Sequence, residues 1–111
     1  MGAFTAGTVV LVRFPFSVTQ TKFRPAVVIA NCGGGDWLLC QVTSGGDSDP
    51  QAITLTDGNF LEGGLERVGY VRLGRLLTVN ETLIAKRVGL LEKSFFEQVR
   101  SAILGMIKQS R

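Results

Sequence analysis

Arg24-Pro25-Ala26-Val27-Val28-Ile29-Ala30-Asn31-Cys32, then Gly33-Gly34-Gly35-Asp36, then Trp37-Leu38-Leu39-Cys40-Gln41-Val42-Thr43: two apolar runs joined by a glycine turn read as a β-hairpin. With Gly33 to Asp36 as the turn, Cys32 stands opposite Trp37, Gln41 opposite Val28 and Thr43 opposite Ala26. Alternate residues of a strand share a face. Arg24, Ala26, Val28, Gln41 and Thr43 therefore lie on one side, and Val27, Ile29, Leu38, Cys40 and Val42 form an apolar set on the other, the expected core side. The first side sets the Arg24 guanidinium diagonally beside the Thr43 hydroxyl, at roughly 7–8 Å between backbone positions, which a long arginine side chain crosses. Cys32 and Cys40 fall out of opposition, so this register pairs no disulfide, and both read as reduced, buried strand residues.

Outward from the hairpin, Thr8 to Phe14 is a nearly continuous run of β-branched and aromatic residues that Pro15 closes. A loop from Phe16 to Phe23 follows, with Ser17, Thr19, Gln20, Thr21 and Lys22 at its centre. It enters at the end of the hairpin that carries Arg24 and Thr43. After Thr43, a turn over Ser44 to Pro50 leads to a short strand, Gln51 to Thr56; a glycine-bearing loop, Asp57 to Gly64, precedes strands over Val68–Leu73 and Leu76–Val79. Asn80 is placed to cap a short helix over Glu81 to Arg87, which Gly89 stops. A second helix spans about Glu92 to Gln109, where Phe95, Val99, Ala102, Ile103, Met106 and Ile107 keep the spacing of one helical face. The expected architecture is mostly β with a C-terminal helix: a small antiparallel barrel or strongly bent sheet over residues 1–111 as a single domain.

Composition restricts the chemistry. The chain has 111 residues and no histidine, which excludes Ser/His and Cys/His nucleophiles, the paired-histidine ribonuclease scheme and His-ligated zinc. No metal or other cofactor is expected. Charge is segregated: residues 1–35 carry Arg13, Lys22 and Arg24 with no acid, residues 36–66 carry six acids with no base, and residues 67–111 are basic again. An acid-free N-terminal third with its bases around one loop is a phosphate-facing surface. Taken singly, Arg24 reads as a strand-end charge and Thr43 as a strand filler. Together, with Gln41 on their face and the polar loop beside them, they read as an anion site. No apolar run approaches the roughly 18 residues of a membrane span. Arg13 interrupts the first apolar run early and no basic stretch precedes it, which points away from a secretory signal and toward the cytoplasm. The hydrophobic fraction, 45%, is high for so small a chain and implies that part of it faces a partner.

Several segments, in order, resemble the MazF/PemK family of toxin endoribonucleases of bacterial toxin–antitoxin systems. They are Gly7-Thr8-Val9-Val10-Leu11-Val12 with Phe14-Pro15-Phe16-Ser17; Arg24-Pro25-Ala26-Val27-Val28; Leu39-Cys40-Gln41-Val42-Thr43-Ser44; Gly63-Gly64-Leu65; Val71-Arg72 with Arg75-Leu76; and the Lys-x-x-Gly-x-Leu element of Lys86 to Leu91. The resemblance implies a barrel related to the SH3 and CcdB folds, a homodimer, an antitoxin with an acidic tail that blocks the groove, and metal-independent cleavage of single-stranded RNA at short sequences. It also carries the family's catalytic arginine onto Arg24 and its catalytic threonine onto Thr43. Many relatives have serine where this chain has Gly69, and some carry an acid or histidine in the loop that here reads Val18-Thr19-Gln20-Thr21-Lys22-Phe23.

That chemistry suits a chain without histidine. The RNA 2′-hydroxyl attacks the adjacent phosphorus, so the protein supplies alignment and charge stabilisation rather than a nucleophile. Arg24 offers two hydrogen bonds to the phosphorane oxygens and a proton to the leaving oxygen, and Thr43 offers one more; the general base is unassigned. Ser17, Gln20, Lys22, Gln41 and Ser44 are candidate RNA-binding residues. Two other readings stand beside this one: a catalytically silent barrel that binds RNA or an antitoxin peptide, and a CcdB-like inhibitor of DNA gyrase.

Overall fold

The computed structural model describes residues 4–15, 21–45 and 49–109. Seven strands form one antiparallel sheet: β1 (Thr8–Pro15), β2 (Thr21–Gly33), β3 (Asp36–Thr43), β4 (Ile53–Leu55), β5 (Phe60–Gly63), β6 (Gly69–Asn80) and β7 (Ile84–Leu91). Their order across the sheet is β4-β6-β3-β2-β1-β7-β5, curled into a half-barrel, and helix α1 (Lys93–Gln109) closes the chain. This is the mostly-β fold with a C-terminal helix that the sequence leads one to expect.

The sheet is buried on both faces, which is why its strands read as near-continuous apolar runs rather than alternating ones. On one face, Val9, Val27, Cys40, Val42, Leu55, Val71 and Leu91 pack with Phe95, Phe96, Val99 and Ile103 of α1. On the other, Val10, Val12, Ala26, Val28, Trp37, Leu39 and Val79 form a second cluster. There the Phe4 ring meets Trp37 edge-on at 5.4 Å. The expectation of a single core side is thus corrected: Ala26 and Val28, assigned to the polar face, are fully buried. Much of the apolar content that implied a partner lies in this second cluster.

The hairpin register also differs from expectation. Gly33 pairs with Asp36 as read from the sequence, but shifts between Asn31 and Gly33 and between Val28 and Ala30 move the ladder by two positions, so Val28 faces Leu39 and Ala26 faces Gln41. Bulges insert residues on one strand only and twist it locally, and an unbroken sequence pattern carries no mark of them.

Three further corrections concern the second half. The expected helix over Glu81 to Arg87 is a single 3-10 turn, Glu81–Leu83, capped by Asn80, whose side chain accepts from the Thr82 N–H; β7 begins at once. The two strands expected over 68–79 are one, β6, and the loop over 57–64 contains the 3-10 turn Asp57–Asn59 and β5. Cys32 is exposed rather than buried, whereas Cys40 is buried and donates its S–H to the Arg72 carbonyl at 3.1 Å. Helix α1 keeps its expected stripe except at Ile107, which is exposed.

Candidate active site

Pairing of β2 with β3 ends at Ala26 and Gln41. The next residue of β2 is Pro25, which has no N–H to give to a ladder. Continuing the register two residues beyond that last pair sets Arg24 directly opposite Thr43, where the unbulged hairpin had set them diagonally. The row extends on both sides, because Thr43 pairs with Tyr70 of β6 and Arg24 with Val12 of β1. Residues directly opposite in an antiparallel pair have Cβ atoms about 4.5–5.5 Å apart on the same face. Arg24 Nε and Thr43 Oγ1 are both buried, and Thr43 Oγ1 has no hydrogen-bond partner among the described residues. A buried hydroxyl without a partner forfeits about 1–3 kcal/mol, a cost that an incoming anionic ligand would remove.

Arg24 and Thr43 line a groove of about 1030 Å³. Consecutive residues of β2 (Lys22 to Pro25), the last two of β3 (Val42 and Thr43) and Ser44 beyond it contribute, so both strand faces reach it. The far wall is the segment Gly64 to Gly69 together with Lys86, Arg87 and Val88 of β7. That wall stands where it does because β5 presses on β7 backbone to backbone. Gly63 has φ +67°, and a Cβ there would lie 2.2 Å from the Val88 carbonyl oxygen, which instead accepts the Gly64 N–H at 3.2 Å. Any other residue at Gly63 would push the wall outward.

Electrostatically the groove is positive: Lys22, Arg24, Arg67, Lys86 and Arg87 line it against Glu66 alone. Arg87 also pairs with Glu62 at 2.8 Å in an exposed contact, so it is partly neutralised. A concave surface lined by one sign of charge concentrates the opposite sign. Outside the groove lining, Asp49 anchors the segment after β3 to β6, accepting from the Gln51 N–H and from Arg72 Nε, both at 3.0 Å. The Gln51 N–H, and then Arg72, hold the Asp49 carboxyl below its ordinary range. No cluster of three or more His, Cys, Asp or Glu side chains is placed to hold a metal ion among the described residues.

Of the residues expected at the site, the groove brings together Lys22, Arg24, Thr43 and Ser44; Gln41 shares the face of Thr43 but does not line the groove. Ser17 and Gln20 lie outside the described residues. Arg67, Lys86 and Arg87, which line the groove, were not singled out from sequence. The signal was present for Lys86 and Arg87, since they fall in the Lys-x-x-Gly-x-Leu element, but reading 81–87 as a helix placed them at a helix end instead of on a strand beside β1.

A family model described as PemK-like, MazF-like toxin of type II toxin–antitoxin systems matches residues 5–107. A comparison with curated proteins finds no match. Among solved structures, the chain is similar to the MazE–MazF complex of Deinococcus radiodurans in its third crystal form, with TM-score 0.76 and 21% identity over 95% of this chain and 96% of that one. It is also similar to an endoribonuclease in complex with its cognate antitoxin from a mycobacterial species, with TM-score 0.75 and 14% identity over 100% and 99% of the two chains. A third is the Mycobacterium tuberculosis toxin MazF-mt6, with TM-score 0.71 and 14% identity over 94% and 99%. At these identities the likeness is one of fold. Among the described residues, no helix is long and apolar enough to cross a membrane.

Proposed function

Because the chain belongs to the PemK-like, MazF-like family of type II toxin–antitoxin toxins, we propose that it is itself an endoribonuclease that cuts single-stranded RNA without a metal ion and is held inactive by a cognate antitoxin. The observation that carries the reading is that Arg24 and Thr43, whose Oγ1 is buried without a partner among the described residues, line one groove with Lys22, Arg67, Lys86 and Arg87. Two of the solved structures of like fold are described as toxin–antitoxin complexes, which supports an antitoxin as partner. A homodimer and a cytoplasmic location, as the resemblance and the sequence imply, are part of the same proposal.

In the proposed reaction, the 2′-hydroxyl of the nucleotide before the scissile bond attacks the phosphorus and forms a 2′,3′-cyclic phosphate. The 5′-oxygen of the next nucleotide leaves with a proton. Arg24 donates to the non-bridging oxygens as charge develops on them, and Thr43 Oγ1 adds a third donor. The guanidinium stays protonated at neutral pH and cannot accept the 2′-hydroxyl proton, so Arg24 stabilises charge and hydrogen-bonds the leaving oxygen, while the 2′-hydroxyl proton passes to water and the 5′-oxygen takes a proton back from water. Lys22, Arg67 and Lys86 hold flanking phosphates, Ser44 joins them in the groove, and Ser17 and Gln20 keep the RNA-binding role expected from the sequence.

A long single-stranded RNA incubated with the protein in EDTA tests this. The reading predicts fragments ending in cyclic phosphate and no cutting at a position whose preceding nucleotide is 2′-deoxy. Intact RNA that nevertheless binds would instead favour the catalytically silent barrel.

A further inference from the structure

Among the described residues, Phe23 is the one aromatic in the set of exposed large apolar side chains that also includes Leu61, Val68, Leu83, Leu104 and Ile107. It lies next to Arg24 in β2, lines the groove, and is 55% exposed. Its strand partner is Arg13 of β1, also exposed. Directly opposite residues share a face, so the Arg13 side chain emerges beside the ring, while Lys22 and Arg24 flank it in sequence. This exposed aromatic surface has Arg13 beside the ring, Lys22 and Arg24 one residue away on the alternate face of β2, and no acid in the first 35 residues. It suits a nucleotide: the ring offers a face to a base and the cations take the phosphates around it.

We propose that Phe23 is a stacking platform for the nucleobase next to the phosphate held by Arg24, and that Arg13 binds the adjoining phosphate on the same strand face. The proposal rests on the reading of the groove as an RNA site and deepens it. Phe23 acts as a positioning residue: it fixes which phosphate sits between Arg24 and Thr43, and it favours bases that stack well.

The test uses a short single-stranded RNA with a 2′-deoxy nucleotide before the scissile phosphate, so that binding is measured without cutting. Stacking on an aromatic ring is worth about 1–3 kcal/mol per base, so Phe23→Ala should bind roughly 5- to 150-fold more weakly. Phe23→Trp should restore binding, and its indole emission should be quenched by RNA; the natural Trp37 is buried, and the parent protein serves as the blank. Arg13→Gln should lower the slope of log affinity against log salt by about 0.7, the value of one single-strand phosphate contact. With cleavable RNA, Phe23→Ala should raise KM more than it lowers kcat. If the parent protein binds RNA and Phe23→Ala binds equally well, the proposal is overturned while the RNA reading survives. If the parent binds no RNA, both fall. A change in molar mass by light scattering for Phe23→Ala, with RNA affinity unchanged, overturns it in favour of a protein interface.

Discussion

Val42 occupies the space that a side chain at residue 69 would need: a Cβ built on Gly69 lies 2.6 Å from Val42 Cγ1. Val42 is β-branched and buried in the cluster under α1, so it has little freedom to turn away. Where many members of the resembled family carry serine, this chain sets glycine against the Val42 side chain. Gly69→Ser should therefore destabilise the fold by about 1–3 kcal/mol. Val42→Ala should relieve most of that cost, giving a double variant more stable than the sum of the two single changes predicts. Chemical denaturation of the four proteins measures the coupling, and strict additivity would count against the steric account.

The two thiols should behave oppositely. Burial pushes the Cys40 thiol up to about 12, so it holds almost no thiolate at neutral pH and sits beneath the sheet surface. Cys32 is exposed. A thiol reagent such as DTNB at pH 8 should modify Cys32 in the native protein and reach Cys40 only after denaturant is added. Two fast equivalents under native conditions would contradict the placement of Cys40.

Asp49 gives the fold a pH signature. Its folded carboxyl lies below its ordinary range, held down by the Gln51 N–H and by Arg72. A group whose folded pKa is depressed contributes stability that is present above its unfolded value and is lost as pH falls through the folded one. Asp49→Asn should accordingly lower Tm at pH 7, with the gap to the parent protein closing in acid below the ordinary carboxylate range. The contact is partly exposed, so the gap at pH 7 should be small and should shrink further in high salt. A gap independent of pH would show that packing alone accounts for it.

The hairpin was legible in the sequence because a Gly33-Gly34-Gly35-Asp36 turn between two apolar runs has few alternative readings, and α1 because six residues hold one helical face. What escaped reading did so for physical causes. The two shifts that bring Ala26 opposite Gln41 rather than Thr43 are bulges, and a bulge leaves hydrophobic alternation nearly intact while changing every pairing beyond it. Residues 81–87 misled because Asn80 is a helix-capping residue, with Glu81 after it and Lys86 and Arg87 where a helix end favours bases, while pairing with β1 decides the conformation of 84–91. That error concealed the basic wall of the groove, since Lys86 and Arg87 reach it only from a strand. The second apolar cluster was invisible for a different reason: strands buried on both faces lose the alternation from which a solvent face is read.

Single-turnover cleavage of one RNA in EDTA by the parent protein, Arg24→Ala, Thr43→Val and the double variant tests the central claim most directly. If Arg24 and Thr43 together stabilise the charge on the scissile phosphate, each single change should slow cleavage by about 10²–10³, and the double variant should be little slower than the worse single one, because groups that act as a unit are not additive. Cleavage by Arg24→Ala at the parent rate would contradict it.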